Sequence, residues 1–192
     1  MNRVCSLTIA AVTLSCSLIA AETTTTATAT TPGVPGGVTI TTTEAKGTVA
    51  AIDLATRKVT IKGEDGTERS LTVGPDAVNL PQVNVGDVVR LRVSEELAVS
   101  VMASSTEKDG AAAGVILAPE GAKPAGILVQ ATRVTATVTA IDTAKHTATI
   151  TFADGTTRTV LVRPDIDLTK HKLGEKVQFT LTESVAVSVD KM

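Results

Sequence analysis

The sequence predicts an all-β protein built from two tandem copies of a small five-stranded barrel. Three observations lead to this prediction: a long segment occurs twice, apolar and polar residues alternate along short segments, and Asp-Gly or Pro-Asp turns separate these segments. Alternation with a period of two is typical of strands with one face in a core and the other in water.

The repeat is nearly gapless. Gly47–Asp76 aligns with Ala136–Asp165 at a constant shift of 89 residues, with half the positions identical. One residue is then lost, and Val85–Val101 aligns with Leu173–Val189 at a shift of 88. Such self-similarity indicates a duplicated folding unit. A unit of this size is marginally stable alone, so we expect the two units to pack on each other.

Each unit opens with a long extended stretch, Val38–Asp53 or Ile127–Asp142. An Asp-Gly turn then joins strands two and three, and Asp-Gly is a strong hairpin signal. A short element follows the Pro-Asp turn and precedes strands four and five, which the alternation places on either side of Ser94–Glu96 in the first unit. This order is typical of an oligonucleotide/oligosaccharide-binding (OB) barrel, and an SH3-like barrel is the alternative.

The N-terminal segment is typical of a secretory signal, with Arg3, an apolar run and Ala20-Ala21 before a polar residue. We therefore expect an exported, periplasmic protein. Cys16 raises the alternative of a lipid anchor, but Thr13 stands where a lipoprotein signal carries Leu. Since both cysteines lie in the signal, no disulfide is expected in the exported chain.

These patterns divide the chain into five segments: a signal peptide (1–21), a disordered Thr-rich tether (22–37), a first barrel (38–102), a linker hairpin (103–126) and a second barrel (127–192). The tether prediction follows from its lack of apolar side chains to bury. In the linker, two apolar runs flank a Pro/Gly-rich turn, which predicts a β-hairpin that docks against a barrel and fixes the two units relative to each other.

Charge and aromatic content exclude some partners. The formal net charge is −2, and no segment carries the excess of Lys and Arg that phosphate binding requires, so we expect no nucleic-acid partner. The two aromatic residues, Phe152 and Phe179, cannot form a platform for stacking bases.

No catalytic constellation is present, so the chain is predicted to be a non-enzyme without a cofactor. The candidate metal ligands are His146, His171, Met102, Asp165 and Asp167. Imidazole, thioether and carboxylate groups bind metal ions when several converge. A lone turn histidine, or a carboxylate that caps a helical turn, is the competing structural interpretation.

Two further groups of charged residues have a spacing that bears on function. Glu95, Glu96 and Glu183 lie at the predicted start of strand five, where exposed turn carboxylates are expected. Because adjacent strand residues face opposite sides, Glu95 and Glu96 make a poor acid/base pair. Arg90 and Arg92 share one face of strand four, which is compatible with an anion-binding patch or with a solvated barrel surface.

The motifs GTVAAID, DGT, VGPD, VGDVV and LAVSV, with their second copies, resemble a group of exported proteobacterial two-repeat small-barrel proteins with no assigned function. A more distant resemblance, carried by the GTVxxID-like opening strand, is to the periplasmic copper chaperone of heavy-metal efflux systems. That resemblance implies copper binding through His, Met and Trp. This chain has no Trp, and Gly63 and Phe152 supply no ligand in strand two, so no ligand residue carries over.

The sequence therefore favours a non-enzymatic binding or interaction module of the cell envelope, whose partner is an envelope protein or a small ligand. The alternatives are a periplasmic protein that binds copper or another divalent metal ion, and a structural spacer without a ligand. No membrane-spanning segment is expected in the exported chain.

Overall fold

The computed structural model describes residues 23–102 and 108–191. The predicted signal with Cys16, the start of the linker and Met192 lie outside these residues. The described chain folds into ten β-strands and two short 3-10 helices. None of its helices is long and apolar enough to cross a membrane.

The strands divide equally between the two units. Those of the first unit are β1 (Thr23–Ala29), β2 (Gly36–Asp53), β3 (Lys58–Gly63), β4 (Glu68–Thr72) and β5 (Val88–Met102). Those of the second are β6 (Gly110–Leu117), β7 (Ala125–Asp142), β8 (Thr147–Phe152), β9 (Thr157–Leu161) and β10 (Lys176–Asp190). The 3-10 helices, Leu80–Gln82 and Leu168–Lys170, precede β5 and β10. The all-β, duplicated fold is thus confirmed.

All ten strands belong to one antiparallel sheet, in the order β4-β3-β2-β5-β10-β7-β8-β9. β1 pairs with the first half of β2, and β6 pairs in the same way with β7. The predicted linker hairpin is therefore confirmed as β6–β7. The two units therefore share one open sheet instead of standing as separate closed barrels.

Each unit has five strands, but not the five expected. The predicted strands four and five are one continuous strand, β5 or β10, because Ser94-Glu95-Glu96 contains neither Gly nor Pro and the backbone continues through it. The three glutamates accordingly lie within strands and not in turns. The fifth strand is instead the one that precedes each long strand, β1 or β6.

The Thr-rich segment was expected to be a disordered tether, and this was wrong for Thr23–Ala29, which forms β1. Threonine is β-branched and fits an extended backbone. The prediction of disorder rested on the low content of apolar residues and did not take this preference into account. The threonine hydroxyls of β1 also meet those of β2 across the ladder: the Thr24 and Thr43 oxygens lie 3.2 Å apart, and those of Thr26 and Thr41 3.4 Å apart. Such cross-strand Thr pairs stabilise a sheet.

The Asp-Gly turns lie where the sequence predicts them. Gly66 and Gly155 both have φ of 82°, a left-handed conformation that only glycine adopts without strain. In both long strands a register shift at one position bends the strand, between Val49 and Ala51 in β2 and between Val138 and Ala140 in β7. The bulge lets one strand pair with β1 or β6 in its first half and with the following strand in its second.

The two units are joined by β5 and β10, which pair over fifteen residues each, from Val88 opposite Asp190 to Met102 opposite Lys176. Glu95 lies opposite Glu183, its own counterpart in the repeat, so the ladder has a local twofold axis at this point. The predicted packing of the two units on each other is realised by backbone hydrogen bonds.

Each hydrophobic core takes side chains from both units. The first core contains Val49, Val59, Ile61 and Val89, together with Val189 of β10. The second is centred on four buried residues of the second unit and is packed by Val99 and Val101 of β5 (the four are Ala136, Val138, Ile150 and Val177). Neither core is complete without the last strand of the other unit.

Candidate functional site

The first unit contains a cavity of about 560 Å³ between its core and the β6–β7 hairpin of the second unit. The sheet side of the cavity is formed by β3, β4 and β5, and the facing side by β6, the start of β7 and the end of β10. Apolar side chains dominate its walls, among them Leu71, Leu91, Leu117, Leu128 and Val187. Such a lining favours apolar ligands.

Several apolar side chains that line the cavity remain exposed to solvent. Val115 keeps 64% of its surface exposed and Leu128 keeps 45%, although both line the cavity. Exposed apolar side chains grouped around a concave site are typical of a binding surface.

A difference between the two copies accounts for space in the first core. The second unit has Phe152 and Phe179 where the first has Gly63 and Leu91. These two rings pack against the second core with their centroids 5.9 Å apart. Leu91 lines the cavity of the first unit. At the Leu91 position, the smaller residue of the first copy therefore leaves space beside the cavity that an aromatic ring takes up in the second.

The β6–β7 hairpin is fastened to the first unit by Asn79, whose side chain is 5% exposed. The Asn79 amide nitrogen donates to the carbonyl oxygens of Ala118 (3.1 Å) and Pro119 (2.9 Å). Its oxygen accepts from the backbone N–H of Gly121 (3.1 Å) and from the side chain of Gln82 (3.2 Å). The amide's hydrogen-bonding capacity is fully used. The prediction that the hairpin docks against a barrel is confirmed.

The β1–β2 hairpin is fastened to the second unit in a matching way. The Arg163 guanidinium donates to three carbonyl oxygens of this hairpin (Thr31 at 3.1 Å, Val34 at 2.9 Å and Gly36 at 2.7 Å). Asp165 accepts from the backbone N–H of Gly33 at 3.0 Å and pairs with Arg163 at 3.0 Å. Each unit thus holds the first hairpin of the other, by a neutral amide in one case and by an ion pair in the other.

The sequence did not single out Asn79 or Arg163. Gly74 occupies the Arg163 position in the first copy, and Asp167 occupies the Asn79 position in the second. A signal was nevertheless present, since both are positions at which the two copies differ, Arg163 directly before the Pro-Asp turn and Asn79 in the segment that follows it.

The two histidines serve as turn and cap residues. His146 has φ of 55° before β8, and its Nε2 lies 2.9 Å from the carbonyl oxygen of Arg163. Its counterpart Arg57 has the same φ and donates to the carbonyl oxygen of Val73 at 3.0 Å. His171 Nδ1 lies 2.9 Å from Glu175 Oε2.

The other candidate ligands also bond elsewhere. Asp167 caps the 3-10 helix by accepting from the backbone N–H of Thr169, Asp165 pairs with Arg163, and Met102 ends β5 opposite Lys176. Between residues 23 and 191, outside 103–107, no three His, Cys, Asp or Glu side chains converge as metal ligands would. The five candidates are not brought into one site, and metal binding at these positions stays a prediction.

Arg90 and Arg92, the other candidate patch, are charge-paired. Arg90 Nε lies 2.8 Å from Asp190 Oδ2, and Arg92 Nε lies 3.7 Å from Glu44 Oε1. The hydrogen bond from Arg90 is the main cause of the lowered pKa of Asp190. These surface pairs leave little positive charge for an anion.

The acidic side chains of the second unit's turn have lowered pKa values. For Asp165 the main cause is the hydrogen bond from Arg163, followed by the one from the Gly33 amide. For Asp167 it is the hydrogen bond from the Thr169 hydroxyl. Both carboxyls are therefore held ionised by donors that exist only in the folded chain.

No family model matches the chain, and no curated protein matches it. Among solved structures, it is similar to the cytoplasmic molybdate-binding protein ModG, a crystal structure with molybdate bound. The alignment has 18% sequence identity and a TM-score of 0.21, and it covers 72% of this chain and 88% of that one. At this TM-score the similarity supports no inference about a ligand.

Replacement of Asn79 by Ala is expected to lower the free energy of unfolding by about 1–3 kcal/mol, because three backbone groups of the docked hairpin each lose a hydrogen bond. Asn84→Ala is the matched control, since Asn84 is exposed and bonds only locally. Urea unfolding followed by circular dichroism gives both values. Equal losses in the two variants would show that Asn79 does not fasten the hairpin.

The ionic attachment is expected to weaken in acid. The pKa of Asp165 is lowered below its ordinary 3.8, so its ionised form stabilises the fold at higher pH, and this contribution is lost as the pH falls through the lowered value. The Gly33 amide shift, followed by NMR, should titrate with a midpoint below 3.8. The Asp165→Asn variant should abolish this titration. A midpoint at or above the ordinary value would contradict the assignment.

Proposed function

We propose that this protein is a non-enzymatic binding module of the cell envelope, and that it takes a small apolar ligand in the cavity between the first core and the β6–β7 hairpin. The observation that carries the proposal is the cavity itself. Its volume of about 560 Å³ lies within the range of about 300–1,000 Å³ that is usual for small-molecule sites.

The lining argues for binding and not for catalysis. Its titratable side chains are Arg69 and Asp76, with no Ser, Cys, His or Lys beside them. Acyl or phosphoryl transfer requires a nucleophile with a base, or a preorganised cluster of charges. Asn79 is the other polar side chain, and its hydrogen bonds are already used to hold the hairpin. The location in the envelope rests on the predicted secretory signal.

The hairpin that covers the cavity also gives a route for ligand entry. Its outer strand β6 is an edge strand, since it pairs with β7 alone and every residue of β6 is exposed, whereas β7 is also paired with β10. Edge segments with few buried contacts open more readily than a core. A ligand can enter by local movement of β6, without separation of β7 or β5 from β10.

The Leu91→Phe substitution is expected to weaken binding, because Phe is the residue at the equivalent position of the second unit and its larger side chain would occupy part of the cavity. The test is a titration with N-phenyl-1-naphthylamine, a neutral apolar dye, against the low background of a chain without Trp or Tyr. The wild-type protein should give a saturable increase in fluorescence, and Leu91→Phe should weaken binding by about tenfold or more.

Leu97→Phe is the matched control, since Leu97 lies on the same strand, is 41% exposed and does not line the cavity. This variant should bind the dye as the wild type does. Circular dichroism checks that both variants are folded. Non-saturable dye binding, or equal binding by both variants, would overturn the proposal and leave the spacer alternative.

A further inference from the structure

The cavity has one cationic side chain in its lining, Arg69 of β4. Arg69 pairs with Ile61 in the ladder, and Leu71 pairs with Val59. Since cross-strand partners share a face, and Ile61 and Val59 are buried in the first core, the Arg69 stem leaves β4 on the core side. A charged residue at an inward-facing position of a half-apolar strand calls for an explanation.

Nothing among the described residues holds the Arg69 guanidinium by a hydrogen bond or an ion pair. Its positive charge contributes slightly to the lowered pKa of Asp65, which is caused mainly by the hydrogen bonds from Thr67. The residue itself is exposed. Its stem therefore lies along the apolar wall while its charged head stays at the mouth of the cavity, in the manner of snorkelling side chains.

We propose that the ligand is an anionic amphiphile, with its apolar chain in the cavity and its carboxylate or phosphate paired with Arg69. This inference rests on the proposed function and specifies its ligand class. A guanidinium binds such groups through two parallel hydrogen bonds, which are stronger than neutral ones. The apolar walls supply affinity for the ligand's apolar chain, and Arg69 determines the orientation of the ligand in the cavity.

Asp76, the other charged residue of the lining, lies in the Pro-Asp turn and carries the opposite charge. It would favour a cationic head group instead. Unlike Arg69, it does not project from a strand that forms the sheet side of the cavity. An experiment can therefore distinguish the two residues, because Arg69 favours an anionic head group and Asp76 a cationic one.

Edge protection is the competing explanation for Arg69, because inward-pointing charges keep edge strands from pairing with other chains. β4 and β9 are the two ends of the sheet path, and β9 carries Arg158 at the equivalent position, opposite Ile150. Arg158 does not line the cavity. It is the matched control, since it shares the edge position of Arg69 without its place beside the apolar walls.

The experiment is calorimetric titration of the full chain with decanoate, decanol and decyltrimethylammonium at neutral pH. Decanoate should bind about tenfold more tightly than decanol, the usual value of one charge-assisted pair. Arg69→Gln should bring decanoate to within about twofold of decanol without weakening decanol, and Arg158→Gln should leave the decanoate preference unchanged.

The results distinguish a failure of the proposed function from a failure of this inference alone. If none of the three ligands binds, the proposed function fails together with this inference. If decanol binds as well as decanoate, or decyltrimethylammonium binds best, or Arg158→Gln has the same effect as Arg69→Gln, only the inference fails. Cosedimentation with phosphatidylglycerol vesicles in the absence of decanoate binding would also overturn it, in favour of a membrane surface.

Discussion

The antiparallel ladder between β5 and β10 is the interaction on which the rest of the structure depends. It places Val189 in the first core and Val99 in the second, so each core is completed by the other unit. At its centre Glu95 faces Glu183, two like charges whose juxtaposition is unfavourable by itself. The ladder must offset that cost through its length and through the two cores it joins.

The two copies use this shared frame differently. In the second unit, Phe152 and Phe179 pack against the core, and the docked hairpin is held by the Arg163–Asp165 pair. In the first unit, Leu91 lines a cavity at the position of Phe179, and the hairpin over this cavity is fastened to the unit by Asn79. The two copies thus differ in their interiors, with an aromatic pair beside the core of one and an apolar cavity beside the core of the other. The neutral attachment over the cavity keeps its strength as the pH changes, whereas the ionic one does not.

The sequence allowed the all-β class, the duplication, the Asp-Gly hairpins and the β6–β7 hairpin to be predicted, because periodicity and turn chemistry act locally. It did not allow β1 to be predicted, since composition alone made Thr23–Ala29 look disordered. The cavity could not be predicted from the sequence, because its existence depends on which hairpin lies over which core. Arg69 illustrates this: the strand pattern places it on the face of Leu71, yet only the docked hairpin makes that face the wall of a cavity.

Native-state hydrogen exchange on the full chain tests the shared-sheet architecture most directly. Ile61, 7% exposed in the first core, is replaced by Val, a change expected to cost about 1 kcal/mol. If the units form one cooperative structure through β5 and β10, the slowest amides of β8 should lose the same opening free energy as those of β3. A loss confined to the first unit, with β8 unchanged, would contradict this account.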